Sequence, residues 1–424
     1  MKHFFSGLVP QSIKNIFWHF PQAVLAACWY RFPARKLRVI GITGTNGKTT
    51  TTTLIGRMIE AAGKKVAVAS TIAVRINGEE HVNATKFTTA SPWHVQSLLH
   101  QAAAQGCEYA VLEVSSHALD QYRVWGIHFE VAVITNITRE HLDYHHTMDR
   151  YTEAKRRLFC NADIGVVNAD MVGPEVFCLT VHKPVTFSTK NPEATVIASN
   201  IALDFKGSTF QALNHFFELH LPGFFNIENA LAMLATGSAL GLSPDAMQRA
   251  LRETTGIPGR MELVPNARGI DIVIDYAVTP DAFEKLYTTV LALKIPGTKI
   301  IHVFGACGDR DRGKRPVMGK IASEKADIII LTNEDPYYED PERIINEIES
   351  GVVRKQTSEN YYRIFDRREA IRKALELAEQ GDIVLITGKG AEETMAIGKK
   401  RISWKERQVI EEELTKISEL PRQK

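Results

Sequence analysis

Val39-Ile40-Gly41-Ile42-Thr43-Gly44-Thr45-Asn46-Gly47-Lys48-Thr49-Thr50 is an apolar strand that runs into a glycine-rich turn and then into Lys-Thr at the head of a helix. Backbone N–H groups of such a turn and the positive end of the helix dipole face an anion. Gly44, Thr45, Asn46, Gly47, Lys48, Thr49 and Thr50 are therefore candidate phosphate-binding residues. Lys48 is placed to reach terminal phosphates, and the Thr49 hydroxyl to hold Mg²⁺. The full G-x-x-x-x-G-K-[ST] spacing would put its first glycine where Ile42 stands, so the loop is a variant of that pattern.

On either side of this stretch, strands and helices alternate from residue 37 onward, the rhythm of a mostly parallel sheet covered by helices. Strands are expected at 37–43, 65–70, 109–114, 130–135 and 164–168, with helices at 48–62, 92–105 and 149–159. Asn77-Gly78 marks a hairpin, and 195–220 alternates like antiparallel edge strands. Helices at 226–240 and 244–253 lead to Pro258-Gly259, after which the rhythm restarts with strands near 271–275, 299–304, 327–332, 362–365 and 383–387. The expectation is an α/β protein with a short aromatic segment (1–36), a central P-loop-type domain (37–257) and a C-terminal Rossmann-like domain (258–424).

Composition excludes several classes. With 51 Lys and Arg against 49 Asp and Glu, the net charge of +2 gives no electrostatic case for a nucleic-acid partner. The five cysteines have no paired spacing, which argues against a zinc site or a disulfide framework and for a reducing cytoplasm. Residues 1–36 are rich in aromatic and aliphatic side chains, but Lys14, His19, Pro21 and Gln22 break any run long enough to span a bilayer. Two readings stay open for them: a short helical pair packed on the first domain, or an interfacial anchor at the inner face of the membrane, with Lys14, Arg31, Arg35, Lys36 and Arg38 at the headgroups.

Downstream of the loop, Leu112-Glu113-Val114-Ser115-Ser116-His117 and Asn136-Ile137-Thr138-Arg139-Glu140-His141-Leu142-Asp143 each follow an expected strand. They should share the carboxyl edge of the sheet with the loop, where ligands of α/β folds bind. A carboxylate at Glu113 with Thr49 suits Mg²⁺, and an imidazole at His141 suits a second Mg²⁺ or Mn²⁺. Tyr151 and Lys155 follow four apart on one helix face.

Residues 43–50, 113–117, 141–143 and 151–159 together resemble the central domain of the Mur ligases, and the detail resembles the MurE branch, which adds an amino acid to a UDP-linked muramoyl dipeptide in peptidoglycan synthesis. The resemblance implies an ATP-dependent carboxylate–amine ligase that works through an acyl phosphate, with two Mg²⁺ sites. Thr49 and Glu113 would serve one site, and His141 with a carbamylated Lys155 the other. It further implies that Lys48, Glu113, His141 and Lys155 are catalytic, and that Asn226, Asn229, Arg260 and Asp275 contact the nucleotide. Thr88, Thr89, Ser115, Gln121 and Arg123 resemble contacts to the muramoyl peptide.

Two departures from the family stand out. Relatives carry a domain ahead of the phosphate loop that grips uridine diphosphate, and here the aromatic segment stands in that place; the expectation is a different carrier, such as a lipid-linked precursor, or a partner protein that supplies the grip. Glu334-Asp335-Pro336-Tyr337 replaces an Asp-Asn-Pro-Arg motif that reads the distal carboxylate of diaminopimelate. Loss of that arginine, with Glu392 kept, favours an amine with a cationic side chain. Two alternatives compete: a ligase of the folylpolyglutamate or cyanophycin-synthetase type acting outside peptidoglycan, and a non-catalytic ATP-binding subunit of a membrane complex.

Overall fold

The strand Arg38–Thr43 lies in the middle of a nine-stranded sheet. In this computed structural model, which describes residues 10–83, 88–353 and 359–419, the strand order is Glu79–Val82, Ala73–Ile76, Val66–Ala69, Tyr109–Glu113, Arg38–Thr43, Phe129–Ile134, Ala162–Asn168, Lys183–Ser188, Val196–Ile197. All neighbours pair in parallel except the hairpin around Asn77-Gly78 and its junction with Val66–Ala69. A parallel strand covered on both faces reads as an unbroken apolar run, and Val39, Ile40 and Ile42 are buried together with Ala110, Val111, Ala132 and Val133. Register fixes the rest: Ile42 pairs with Glu113 on one side and Val133 on the other. The loops after Thr43, Glu113 and Ile134 therefore leave the sheet at one edge.

The chain divides into two compact units, 1–220 with 224–255, and 221–223 with 256–424. In the first, the helices Lys48–Ala61, Phe224–Ala239 and Pro244–Glu253 pack on one another. In the second, a six-stranded sheet runs Glu262–Val264, Asp271–Asp275, Ile383–Thr387, Ile300–Phe304, Ile328–Leu331, Tyr361–Arg363, parallel apart from its first pair. Its core joins Ile272, Ile274, Ile301, Val303, Ile330, Val384 and Ile386 to the helix Arg367–Leu377.

Three expectations are corrected. Most of 195–220 forms a separate three-stranded antiparallel sheet, Ser199–Asp204, Gly207–Ala212 and His215–Leu219, and only Val196–Ile197 joins the large sheet, in parallel. Lys183–Ser188 is a further parallel strand that its Lys-Pro start concealed. In place of a helical pair, residues 11–29 form one helical run with a π-turn at Asn15–His19, packed on the helix Pro92–Ala104 and ended by Arg31 and Phe32 at positive φ. Phe4, Phe5, Leu8 and Val9 lie outside the described residues.

Candidate active site

Gly47 precedes the helix Lys48–Ala61 at φ +81°, a backbone conformation open to glycine at little cost. A Cβ there would stand 2.2 Å from Asn229 Oδ1, and one on Gly44 1.9 Å from Thr135 Oγ1. The loop is held from beneath. Thr45 N donates to the Asn136 carbonyl and Asn46 N to Asn136 Oδ1, each at 2.9 Å, while Thr135 Oγ1 donates to the Asn46 carbonyl at 2.6 Å. Asn229 accepts from Thr51 and donates to Asn226, so both helix asparagines brace the loop's helical side.

Two lysines converge on successive carbonyls of this loop: Lys155 Nζ donates to Gly44 O and Lys48 Nζ to Thr45 O, both at 2.7 Å. Lys155 is 1% exposed, with its ammonium 4.6 Å from the centre of the Tyr151 ring. Burial, and then repulsion from Lys48, hold its pKa well below the usual lysine value. His141, in the left-handed region at φ +56°, has its pKa pushed down to about 3 by burial first and then by Lys48 and Lys155. Its imidazole is therefore neutral, the form that binds metals.

Glu113, 2% exposed, accepts from the Thr49 hydroxyl at 3.1 and 3.2 Å, from Thr71 N at 2.7 Å and from Thr71 Oγ1 at 2.9 Å. Among the described residues no lysine or arginine pairs with it. A buried carboxylate ringed by neutral donors fits a cation bound between it and the Thr49 hydroxyl. Among the described residues no group of three or more His, Cys, Asp or Glu is arranged to cage a metal, so the remaining ligands would have to come from phosphates and water.

Beside this centre, Thr89 Oγ1 donates to the Glu113 carbonyl and accepts from Ser115 N, and Arg123 donates to Thr89 O and to Gln121 Oε1. Thr88, Thr89 and Glu113 line a cavity of about 300 Å³ with Ser70, Val74 and Leu98. Thr71 and Thr135 were not read from the sequence, and Asn136 was read only as the head of the motif that ends in His141-Leu142-Asp143. All three lie just past strand ends at the same sheet edge, which was the available signal.

A family model described as "Mur ligase middle domain" matches residues 42–237, and one described as "Mur ligase, glutamate ligase domain" matches residues 259–390. Over 402 residues the chain is 36% identical to the UDP-N-acetylmuramoyl-L-alanyl-D-glutamate--2,6-diaminopimelate ligase of Clostridium botulinum, which covers 93% of this chain and 81% of that one. The chain belongs to the Mur ligase family. It is an ATP-dependent ligase that joins an acid to an amino acid, and the family uses Mg²⁺ with ATP. A solved structure of a UDP-N-acetylmuramoyl-L-alanyl-D-glutamate--2,6-diaminopimelate ligase aligns with TM-score 0.65 and 32% identity over 94% of this chain and 83% of that one. Folylpolyglutamate synthase of Mycobacterium tuberculosis aligns with TM-score 0.72, over 87% and 92%, but at 18% identity it shows the shared fold alone.

In the second unit of this Mur ligase, the Arg260 guanidinium lies 4.8 Å from the centre of the Tyr276 ring, and Asp275 Oδ2 accepts from Met261 N at 2.8 Å. Burial raises the Asp275 carboxyl, and Arg260 partly offsets it. Glu334, Asp335 and Glu392 gather round Lys389. Its ammonium bonds Asp335 Oδ1 at 2.9 Å and also Glu392, while Cys307 Sγ donates to Glu334 and Tyr276 OH to Glu392. Tyr337 sits at φ +51° beside this cluster, its N–H on the Ala396 carbonyl. Lys389 was not singled out from the sequence, where a lysine between two glycines looks like solvated loop.

Proposed function

We propose that this enzyme extends a muramoyl-type peptide by one amino acid in cell-wall synthesis, through an acyl phosphate. The observation that carries this reading is the convergence of Lys48, Lys155, His141 and Glu113 on one phosphate loop: joining ATP to a carboxylate brings two anions together, and Lys48 with the metal ions that the other three could hold would supply the positive charge. The γ-phosphoryl of ATP passes to the acceptor carboxylate with ADP leaving, the amine attacks the acyl carbon, and inorganic phosphate departs as the amide forms. Lys48 draws charge from the β/γ-phosphates, and the N–H groups at the helix head, Gly47 to Thr49, cradle them. Mg²⁺ held by Thr49 and Glu113, and a second Mg²⁺ or Mn²⁺ held by His141 with a carbamylated Lys155, would neutralise the phosphates and the incoming carboxylate.

Asn226, Asn229, Arg260 and Asp275 take the nucleotide, and Thr88, Thr89, Ser115, Gln121 and Arg123 the acceptor. Glu334, Asp335, Tyr337 and Glu392 take the amine. Three carboxylates against Lys389 and Lys314, with Arg367 already paired to Glu406, leave that pocket net acidic, which favours a cationic amino acid over a dicarboxylic one. Residues 1–36 add a peripheral contact with the membrane. The test is ADP and phosphate release across a panel of amino acids, with muramoyl dipeptide presented with and without a uridine diphosphate carrier. Turnover should require acid and amine together; phosphate release indifferent to the amine would end this reading.

A further inference from the structure

The helical run Gln11–Trp29 is amphipathic in the sense opposite to that of a water-facing helix. Its inward side is small or polar: Asn15, Ala23, Ala26 and Ala27 are all buried. Its outward side carries the bulk, with Phe17 and Trp29 each 75% exposed, Trp18 67%, Leu25 60% and Ile16 55%. Folding has buried alanines and left aromatic rings in water, and a contiguous apolar face of this kind marks a contact surface. No helix among the described residues is long and apolar enough to cross a membrane, so such a contact would be made along the helix and not through the bilayer.

Charge indicates what covers the face. Between Asn15 and Tyr30 there is no Asp, Glu, Lys or Arg; Lys14 precedes this stretch, Arg31, Arg35 and Lys36 follow it, and the first acidic residue of the chain is Glu60. A protein partner would be met by a rim of mixed sign, whereas an apolar face whose flanking charges along the chain are all cations, with Asp120 held on the inward side by Asn15, complements acyl chains beneath anionic headgroups.

The inward side leads to the acceptor residues. Asn15 Nδ2 donates to Asp120 Oδ2 at 2.6 Å, and that same oxygen accepts from Tyr144 OH at 2.8 Å. Gln121 Nε2 donates to Tyr144 OH, and Arg123 to Gln121. Phe20 packs edge-on against Tyr122 and Trp125, at 5.2 and 5.5 Å between ring centres. One side of the segment thus braces the loop that bears Gln121 and Arg123, and the other is apolar.

We propose that Gln11–Trp29 lies in the plane of an anionic lipid surface, its aromatic face in the interface, and so seats the acceptor contacts Gln121 and Arg123 beside the bilayer. The seating of an acceptor rests on the ligase reading; the lipid contact does not. The test is co-sedimentation of the full chain with phosphatidylglycerol–phosphatidylcholine vesicles and with phosphatidylcholine alone, without ATP or amino acid. Wild type should bind the anionic vesicles about tenfold more tightly than the neutral ones, and less well in high salt.

The triple variant Phe17→Glu, Trp18→Glu, Trp29→Glu should lose at least about tenfold in vesicle binding with its melting temperature unchanged, because the three side chains are exposed. Arg35→Glu with Lys36→Glu should abolish the anionic preference and keep the weak neutral binding, which covers the case of a triple variant that fails to fold. Wild type left in the supernatant, or variants that pellet like wild type, would overturn the proposal. So would a wild-type dimer that the triple variant dissolves while neither protein binds vesicles. Because no ligase substrate is present, these failures are distinct from a failed ligase assay.

Discussion

Lys155 is a lysine without the usual reason to be charged: water is excluded, its hydrogen-bond partner is the neutral Gly44 carbonyl, and Lys48 repels it. A neutral amine is the form that attacks CO₂. The nitrogen bonds to carbon, a proton leaves to solvent, and a carboxylate-tipped side chain results, turning a neutral amine beside the phosphate loop into an anion able to hold a cation. Replacing Lys155 by alanine should therefore lower amide synthesis by about 10²-fold or more, and a short-chain carboxylate such as acetate should restore part of it. Steady-state phosphate release measures both effects. An alanine variant with full activity, or one that acetate inhibits, would remove the carbamate role.

At the scale of elements, the helix Met148–Phe159 carries Tyr151 and Lys155, and two glycines set how closely it rests on the sheet. A Cβ on Gly41 would stand 2.8 Å from Leu158 Cδ1 and from the Phe129 ring, and one on Gly165 3.0 Å from Phe159. Gly41→Val should overpack this contact at a cost of about 1–3 kcal/mol, and should lower activity even well below the melting temperature, because Lys155 moves with its helix. Denaturant titration beside a low-temperature rate checks both; a destabilised variant with wild-type rate would separate packing from catalysis.

The same elements show what the sequence discloses. Strand, turn and helix at 39–50 were legible because apolar runs, glycines and the Lys-Thr pair act locally, and Glu113 and His141 were legible because each follows a strand of the same sheet. The independence of the 199–219 sheet was not, since edge pairing and separate pairing share one alternating pattern. Nor was Lys389 as the centre of the acidic cluster, because Asp335 lies on a strand-end loop far away in sequence and only folding joins them.

Across the described residues, the histidines most strongly held neutral, in each case chiefly by burial, are His117, His141 and His302 with pKa lowered to about 3, and His145 to about 4. Three belong to the first unit and His302 to the second. In the unfolded chain each takes a proton near pH 6.5, so below that pH the unfolded state binds more protons than the folded one, and stability is lost as pH falls from 6.5 toward 4. For His302, 0% exposed and held between Tyr287 OH and Thr387 Oγ1, the loss approaches about 1.4 kcal/mol per pH unit. His141, which keeps contact with solvent, contributes less. Hydrogen exchange, corrected for intrinsic rate, should show Arg38–Thr43 and Ile300–Phe304 opening more readily at pH 5 than at pH 7. His302→Gln should flatten that pH response in Ile300–Phe304 and leave Arg38–Thr43 as in wild type, whatever it does to absolute stability. An unchanged slope in Ile300–Phe304 would mean that His302 is not the proton acceptor that loosens the second unit.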